Sequence, residues 1–178
     1  DSSLESTVPV FKKEADLLAE ELAKLSTEEL SSMMKVSENI AELNASRYRN
    51  WNKSNTEEKR AIFQFEGDVF KHLGAKDLSE SQIQYMNDNL RILSGIYGLL
   101  KPSDKMNPYR LEMGTRHDFN GSASLYEFWG DKIAKELSEE LGNSYLFNLA
   151  SEEYFSSVSK FLNAEKIINF RFLTVNNG

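Results

Sequence analysis

Apolar residues recur at helical spacing in the first part of the chain. The repeat predicts an amphipathic helix from Pro9 to Leu25. Its apolar side consists of Phe11, Leu18, Leu22 and Leu25. The next four residues, Ser26-Thr27-Glu28-Glu29, place a carboxylate three positions after a hydroxyl, which is the pattern of a capping box. A second helix is therefore predicted to begin there.

A third helix is predicted from about Glu38 to Trp51, after a short break at Lys35-Val36-Ser37. The side chains predicted to face the core are Ile40, Leu43 and Tyr48. Arg47 and Arg49 are predicted to face solvent.

Further helices and short apolar strands follow. Helices are predicted near Thr56 and from Ser79, and a long helix is predicted from Leu125 to about Gly142. A short buried strand is predicted over Tyr145 to Leu149, with a helix after it. The last strand is predicted from Ile167 to Val175.

This order of elements predicts a mixed α/β domain, rich in helix, with short buried strands and a glycine-rich turn region. The length of 178 residues fits a single domain over 1–178. The chain opens without Met and closes on Asn176-Asn177-Gly178, a hairpin turn with no second strand. We therefore expect that the chain lacks a segment at each end.

A small hydroxyl and two glycines follow the apolar run that starts at Leu90. Ser94-Gly95 comes directly after this run, and Tyr97-Gly98 closes the segment. One interpretation is a loop that receives a phosphate or a nucleobase through its backbone N–H groups. The other is that the glycines let the chain turn sharply against a sheet. The sequence leaves both interpretations open.

An arginine and a carboxylate lie between Pro108 and Gly114. Arg110 and Glu112 follow Tyr109 and are separated by one residue. They are interpreted either as a ligand clamp with a general acid or base, or as a salt bridge that pins the loop.

Charged residues elsewhere complete a candidate ligand site. Asp131 is expected to pair with Arg91 or Arg110. Glu152 and Glu153 follow a strand at a helix start, at the same sheet edge as Ser94 if both strands run parallel. Their carboxylates either do acid–base work or bind a metal, or they satisfy the helix dipole. The candidate ligand-binding residues are therefore Arg91, Ser94, Gly95, Tyr97, Gly98, Tyr109, Arg110, Glu112, Asp131 and Glu153.

Composition narrows the classes of function. Because the chain has no cysteine, disulfide-linked partners and thiol catalysis are excluded, which fits a reducing cytoplasm. No apolar run approaches the roughly 20 residues that span a bilayer. The only histidines are His72 and His117, and His117-Asp118 lacks the i, i+4 spacing of a helical metal pair, so no metal site is predicted. No cofactor is predicted either. The net charge of −7 argues against a nucleic-acid binder, but a local basic cluster is formed by Arg47, Arg49, Lys53, Lys59 and Arg60.

Five segments spread over most of the chain carry distinctive aromatic, glycine and charged residues. They are Phe65-Glu-Gly-Asp-Val-Phe70, Leu93-Ser-Gly-Ile-Tyr-Gly98, Pro108-Tyr-Arg-Leu-Glu-Met-Gly114, Leu125-Tyr-Glu-Phe-Trp-Gly-Asp131 and Asn148-Leu-Ala-Ser-Glu-Glu-Tyr-Phe155. In this order they resemble the YaaA family of bacterial peroxide stress proteins.

The resemblance implies a bacterial cytoplasmic protein that limits peroxide damage and is associated with lowered free iron. It also implies DNA binding through a helix-hairpin-helix element and a positively charged cleft. The chain departs from the family pattern at both ends, where an opening strand with a Ser-Pro-Ala-Lys-type loop and a basic Tyr-Ala-Lys-rich segment are absent.

The candidate helix-hairpin-helix element runs from Glu28 to Trp51. It would hold a phosphate on the amides at the start of its second helix, assisted by Arg47, Arg49 or Lys53. The alternative is two packed helices with solvated basic side chains. The candidate DNA-binding residues are Lys35, Ser37, Arg47, Arg49 and Lys53. The expected partner is double-stranded DNA or a nucleotide, and the alternative function is an enzyme acting on a nucleotide or nucleobase at the Ser94–Tyr97 and Arg110–Glu112 loops.

Overall fold

The computed structural model describes residues 5–53 and 57–170. The helices in these ranges are α1 (Lys12–Ala23), α2 (Thr27–Met34), α3 (Glu38–Arg49), α4 (Ala61–Gln64), α5 (Asp68–Leu73), α6 (Glu80–Asn89), α7 (Leu125–Trp129), α8 (Lys132–Leu141) and α9 (Glu152–Phe155). The strands are β1 (Lys59–Arg60), β2 (Ile92–Ser94), β3 (Gly98–Leu100), β4 (Lys105–Met106), β5 (Leu146–Asn148) and β6 (Ile167–Asn169). The predicted mixed α/β fold, rich in helix, is confirmed.

The first two helices follow their sequence patterns. α1 buries Ala15, Leu18, Ala19 and Leu22. At the start of α2, the Glu29 amide donates to Ser26 Oγ at 3.2 Å and the Ser26 amide donates to the Glu29 carboxylate at 2.7 Å. This reciprocal pair is the predicted capping box. Lys35 ends α2 in the left-handed conformation, with φ of 53°, and so produces the predicted break.

The buried face of α3 differs from the predicted one. Ile40 and Leu43 are 40% and 50% exposed, so their predicted burial is wrong. The buried residues are Ala41, Asn44, Ala45 and Tyr48. α3 packs against both α1 and α2. Small side chains on this face let the helices approach closely. The prediction relied on the positions of large apolar residues, so it did not identify the face that carries the alanines.

The predicted long helix from Leu125 is two helices. Gly130 separates α7 from α8 with φ of 50° and ψ of −122°, a conformation that residues with a Cβ rarely adopt. The prediction of one continuous helix is wrong, because the apolar spacing carries on across the interruption.

The elements between α3 and β2 match the prediction in part. The predicted helix start near Thr56 lies outside the described residues. α5 begins after Gly67. α6 begins after Ser79, whose amide donates to Gln82 Oε1 at 2.8 Å in a second capping box.

The strands within the described residues form three separate two-stranded sheets. β1 pairs with β4 and β2 pairs with β3, both antiparallel, whereas β5 and β6 are parallel. Ser94 at the end of β2 therefore does not share a sheet edge with Glu153, which follows β5. That expected arrangement is wrong, because it required both strands to run parallel in one sheet.

β5 is a strand as predicted, but it is not buried. Phe147 is 58% exposed, and its neighbour in the sheet, Ile168, is 39% exposed. The rings of Phe147 and Phe170 stack with centroids 6.1 Å apart. No described element covers this face of the sheet. Parallel sheets are usually buried because other elements cover both of their faces, so this uncovered face stays exposed. The predicted end of the last strand at Val175 and the Asn177-Gly178 turn lie outside the described residues.

The core surrounds the hairpin formed by β2 and β3. Its largest fully buried side chains include those of Tyr48, Tyr97, Phe119 and Trp129. Trp129 Nε1 donates to the carbonyl oxygen of Gly95 at 3.0 Å, which ties α7 to the turn after β2. Among residues 5–53 and 57–170, no helix has the length and apolar character needed to cross a membrane.

Candidate functional site

Burial alternates along residues 107–114, which we call the 107–114 segment. Leu111 and Met113 are buried, whereas Arg110 and Glu112 are exposed. Alternating Arg-Leu-Glu-Met is the sequence pattern of an extended stretch with one side in the core. The segment therefore directs its two charged side chains outward.

Two tyrosine hydroxyls fix the backbone of the 107–114 segment. The Asn107 amide donates to the Tyr97 hydroxyl at 2.9 Å. The Tyr48 hydroxyl donates to the carbonyl oxygen of Arg110 at 2.7 Å. Burial raises the pKa of both tyrosines, so both hydroxyls stay neutral over the physiological pH range.

Ser94 is buried, with 1% of its surface exposed. Its Oγ accepts a hydrogen bond from the Tyr97 amide at 2.9 Å and lies 2.6 Å from the hydroxyl oxygen of Tyr109. Burial raises the pKa of Tyr109. The Ser94 hydroxyl thus connects the hairpin turn to the 107–114 segment, and it does so inside the protein.

The glycines of the turn allow close packing within the chain. A Cβ on Gly95 would lie 2.3 Å from the carbonyl oxygen of Leu111. A Cβ on Gly98 would lie 2.8 Å from the ring of Trp129. Neither position could carry a side chain without displacing its neighbour. These contacts favour the interpretation in which the glycines let the chain turn sharply against its own structure.

The acidic start of α9 contacts the end of the same segment. Glu153 Oε1 accepts a hydrogen bond from the Gly114 amide at 2.7 Å, and the Tyr126 hydroxyl donates to the Glu153 carbonyl oxygen at 2.9 Å. Burial, reinforced by the carboxylates of Glu153 and Glu112, raises the pKa of Tyr154 to about 12. Glu153, Glu112 and Tyr154 therefore lie close together, although not at the edge of one sheet.

Arg110 and Glu112 form an ion pair. Arg110 Nη2 donates to Glu112 Oε1 at 2.9 Å, and the two side chains are 47% and 56% exposed. Exposed pairs of this kind contribute no more than about 1 kcal/mol to stability. The pair is thus free to exchange partners. Chemically, it offers an anion a guanidinium fork and offers a donor group a carboxylate.

Arg91 and Asp131 contact other partners. Arg91 Nε donates to Glu140 Oε2 at 2.5 Å. Asp131 pairs at 2.8 Å with Lys135, one helical turn further along α8. The expected pairing of Asp131 with Arg91 or Arg110 is therefore wrong, because the partner on its own helix is nearer.

The basic candidates lie at opposite ends of α3. Lys35 is exposed before the helix, and Ser37 flanks its first residue without making a side-chain cap. Arg47 is half-buried in the last turn, and Arg49 and Lys53 are exposed. At 1.5 Å per residue, Ser37 and Arg47 lie about 15 Å apart along the axis. This separation argues against one phosphate in direct contact with both ends of α3.

Tyr48 connects the two candidate regions. It lies between Arg47 and Arg49 on α3, and its hydroxyl is bonded to the Arg110 carbonyl oxygen. The charge of Arg47 acts on the Tyr48 hydroxyl. Lys12 Nζ, in the first turn of α1, donates at 2.7 Å to the side chain of residue 52 just beyond α3. Through Tyr48, the last turn of α3 therefore contacts the backbone of the 107–114 segment.

Sequence reasoning missed two members of this arrangement. Tyr48 is predicted only as a core residue, and Tyr154 is not predicted to take part. The available clue is that a buried tyrosine hydroxyl usually finds a hydrogen-bond partner. The Asn120-Gly121 turn is also missed. Asn-Gly is a common turn sequence because both residues tolerate positive φ, and here their φ angles are 55° and 86°. Within the described ranges, no three metal-binding side chains are grouped together.

Comparison with known proteins gives a consistent family. A family model described as peroxide stress protein YaaA matches residues 1–178. The UPF0246 protein of Aliivibrio fischeri strain MJ11 is 47% identical over 157 residues, which cover 85% of this chain and 61% of that protein. The UPF0246 protein of Clostridium botulinum strain Eklund 17B is 43% identical over 159 residues, covering 88% of this chain and 62% of the relative.

A third relative aligns over nearly the whole chain. The UPF0246 protein of Shewanella woodyi is 44% identical over 182 aligned positions, covering 99% of this chain and 71% of that protein. The chain thus spans about three fifths of the length of the first two relatives.

Proposed function

Since the chain belongs to the YaaA family of peroxide stress proteins, we propose that it protects the bacterial cytoplasm from peroxide by associating with double-stranded DNA. The association uses the phosphate backbone and reads no base sequence. The observation that carries the proposal is the group of cations at the end of α3, Arg47, Arg49 and Lys53, in a chain of net charge −7.

The α2–α3 pair supports contacts at two phosphates. Lys35 and the N-terminus of α3 would contact one phosphate, and Arg47 and Arg49 another about 15 Å away. A strand of duplex DNA advances about 3.4 Å per phosphate along the axis. The two ends of α3 would therefore engage different phosphates of the duplex. In this form the pair acts as a helix-hairpin-helix element with separated contacts.

Arg49 is well suited to this role. It is exposed, and among the described residues it makes no ion pair or hydrogen bond that would have to break first. Its position in the last turn of α3 also places its positive charge near the negative end of the helix dipole, which stabilises the free protein. A phosphate contact would add to that role without replacing it.

The test is fluorescence anisotropy with a labelled duplex of arbitrary sequence, over a range of salt concentrations. Replacing Arg47, Arg49 and Lys53 together by Gln should weaken binding and reduce the salt slope by about 0.9 for each phosphate that is no longer neutralised. The matched control replaces three exposed lysines elsewhere, Lys76, Lys105 and Lys160, by Gln.

The control changes net charge by the same amount, so a simple charge effect would appear in both triple variants. Equal salt slopes in the two variants would contradict binding at the end of α3. The link to lowered free iron belongs to the same proposal. It predicts that cells with the Arg47, Arg49 and Lys53 variant contain more chelatable iron after peroxide treatment than cells with the control variant.

A second candidate is an enzyme acting on a nucleotide or nucleobase. It is favoured by one observation, the convergence of Arg110, Glu112, Glu153 and Tyr154 at the 107–114 segment. Because Ser94 is buried, the outward charged groups would carry the chemistry. Titration calorimetry with mononucleotides should then give saturable binding that Arg110→Ala removes, and no heat with any mononucleotide would reject this candidate.

A further inference from the structure

We propose that Arg110 contacts a further phosphate of the same duplex, and that Glu112 restrains it and thereby limits the affinity for DNA. The inference rests on the proposed function, since it needs a duplex held at the end of α3. It assigns the Arg110–Glu112 pair the role of setting the affinity for DNA. This role is separate from holding the fold together.

The backbone of Arg110 lies beside the last turn of α3. Tyr48 belongs to the turn of α3 that carries Arg47 and Arg49, and its hydroxyl holds the Arg110 carbonyl oxygen at 2.7 Å. The backbone of Arg110 is therefore anchored to the helix that would hold the DNA. The Arg110 side chain is 47% exposed, so it is open to a phosphate from solution.

The fold does not depend on the Arg110–Glu112 pair. The 107–114 segment is held by hydrogen bonds at Asn107, Arg110 and Gly114 and by the close contact between Gly95 and Leu111. None of these uses the charged ends of Arg110 or Glu112. The ion pair can therefore open without loosening the segment, because exposed pairs contribute little to stability.

The Arg110 guanidinium can bind a phosphate. A guanidinium has five N–H donors, and the bond to Glu112 Oε1 uses Nη2 at 2.9 Å. A phosphate oxygen can take the remaining edge or replace the carboxylate, since planar forks match phosphate geometry. A phosphate at that point is also repelled by the Glu112 charge. Glu112 therefore orients Arg110 and at the same time weakens the binding of a phosphate to Arg110.

The experiment measures duplex affinity and salt slope for Arg110→Gln, Glu112→Gln and the double variant. The control pair is Asp131→Asn and Lys135→Gln, because Asp131 and Lys135 form another exposed ion pair at 2.8 Å. Arg110→Gln should weaken binding and lower the salt slope by about 0.9. Glu112→Gln should tighten binding severalfold, and this gain should disappear in the double variant.

Asp131→Asn changes the net charge by the same amount as Glu112→Gln, so it measures the general effect of removing one negative charge. Equal gains in these two variants would overturn the inference, as would an Arg110→Gln variant that binds like the wild type. Thermal unfolding checks that both Arg110 variants remain folded, and Arg110→Lys, which keeps the charge, should recover part of the affinity.

The inference and the proposed function can fail separately. If the wild type does not bind duplex DNA even at low salt, both fall. If the triple replacement at Arg47, Arg49 and Lys53 abolishes binding but the Arg110 and Glu112 variants change nothing, only the inference falls.

Discussion

The hydroxyl of Tyr48 donates a hydrogen bond to the carbonyl oxygen of Arg110 at 2.7 Å, across 62 positions of sequence. Through this bond the last turn of α3 positions the backbone of the 107–114 segment. The residues on either side of Tyr48 are Arg47 and Arg49, so the bond joins the cationic end of α3 to the backbone of Arg110. A buried hydrogen bond between distant segments is sensitive to removal of one partner, because the other is left without a partner away from water.

Replacing Tyr48 by Phe should destabilise the protein by about 1–2 kcal/mol, since the Arg110 carbonyl oxygen loses its donor while the ring stays buried. Urea unfolding measures the change. The control is Tyr85→Phe, because Tyr85 is 69% exposed and its hydroxyl is solvated. We expect no measurable change in the control, and a similar small effect in both variants would contradict the role assigned to the Tyr48 hydroxyl.

Replacing Gly95 by Ser should destabilise the protein by about 1–3 kcal/mol, because the new Cβ would lie 2.3 Å from the Leu111 carbonyl oxygen and must displace it. The melting temperature of the variant reports the loss. Gly67→Ser is the control, since a Cβ there has its nearest neighbour at 4.0 Å and serine is a favoured residue before a helix. A Gly95 variant as stable as the control would show that the segment can shift freely.

Replacing Ser94 by Ala should lower stability by about 1–3 kcal/mol, because the Tyr97 amide and the Tyr109 hydroxyl both lose a buried partner. Chemical denaturation compares it with Ser138→Ala, a substitution at an exposed position of α8. Wild-type stability combined with loss of a ligand-binding activity would instead favour a direct role of Ser94 in function.

Replacing Glu140 by Gln should destabilise the protein at neutral pH by about 1 kcal/mol. Burial by itself raises the pKa of Glu140, but hydrogen bonds from Arg91 and Lys101 outweigh it and hold the pKa below its usual value of 4.5. A lowered folded-state pKa stabilises the protein above the unfolded pKa, and this contribution is lost as pH falls through the folded value.

The difference in stability between wild type and Glu140→Gln should therefore shrink as the pH falls below about 4.5. Unfolding in urea at a series of pH values measures it. Glu139→Gln serves as the control, because Glu139 is exposed and makes no ion pair among the described residues. A constant difference across the acidic range would mean that the Arg91–Glu140 contact does not couple to protonation.

Local interactions determine the elements that the sequence predicted correctly. The capping boxes at Ser26 and Ser79 use residues three positions apart, and the apolar repeat of α1 describes a single helix face. In each case the deciding contacts lie within one or two turns of the chain, so the sequence contains them.

Tertiary structure decided the rest. The inward face of α3 depends on how closely α1 and α2 approach, so Ala41 and Ala45 are buried while Leu43 is not. The backbone of Gly95 approaches Leu111 closely, and only the folded structure shows this contact. In the sequence, a glycine that makes room for a ligand looks the same as one that makes room for another part of the chain. The bond between Tyr48 and Arg110 depends on segments far apart in the chain, and no local pattern encodes such a pairing.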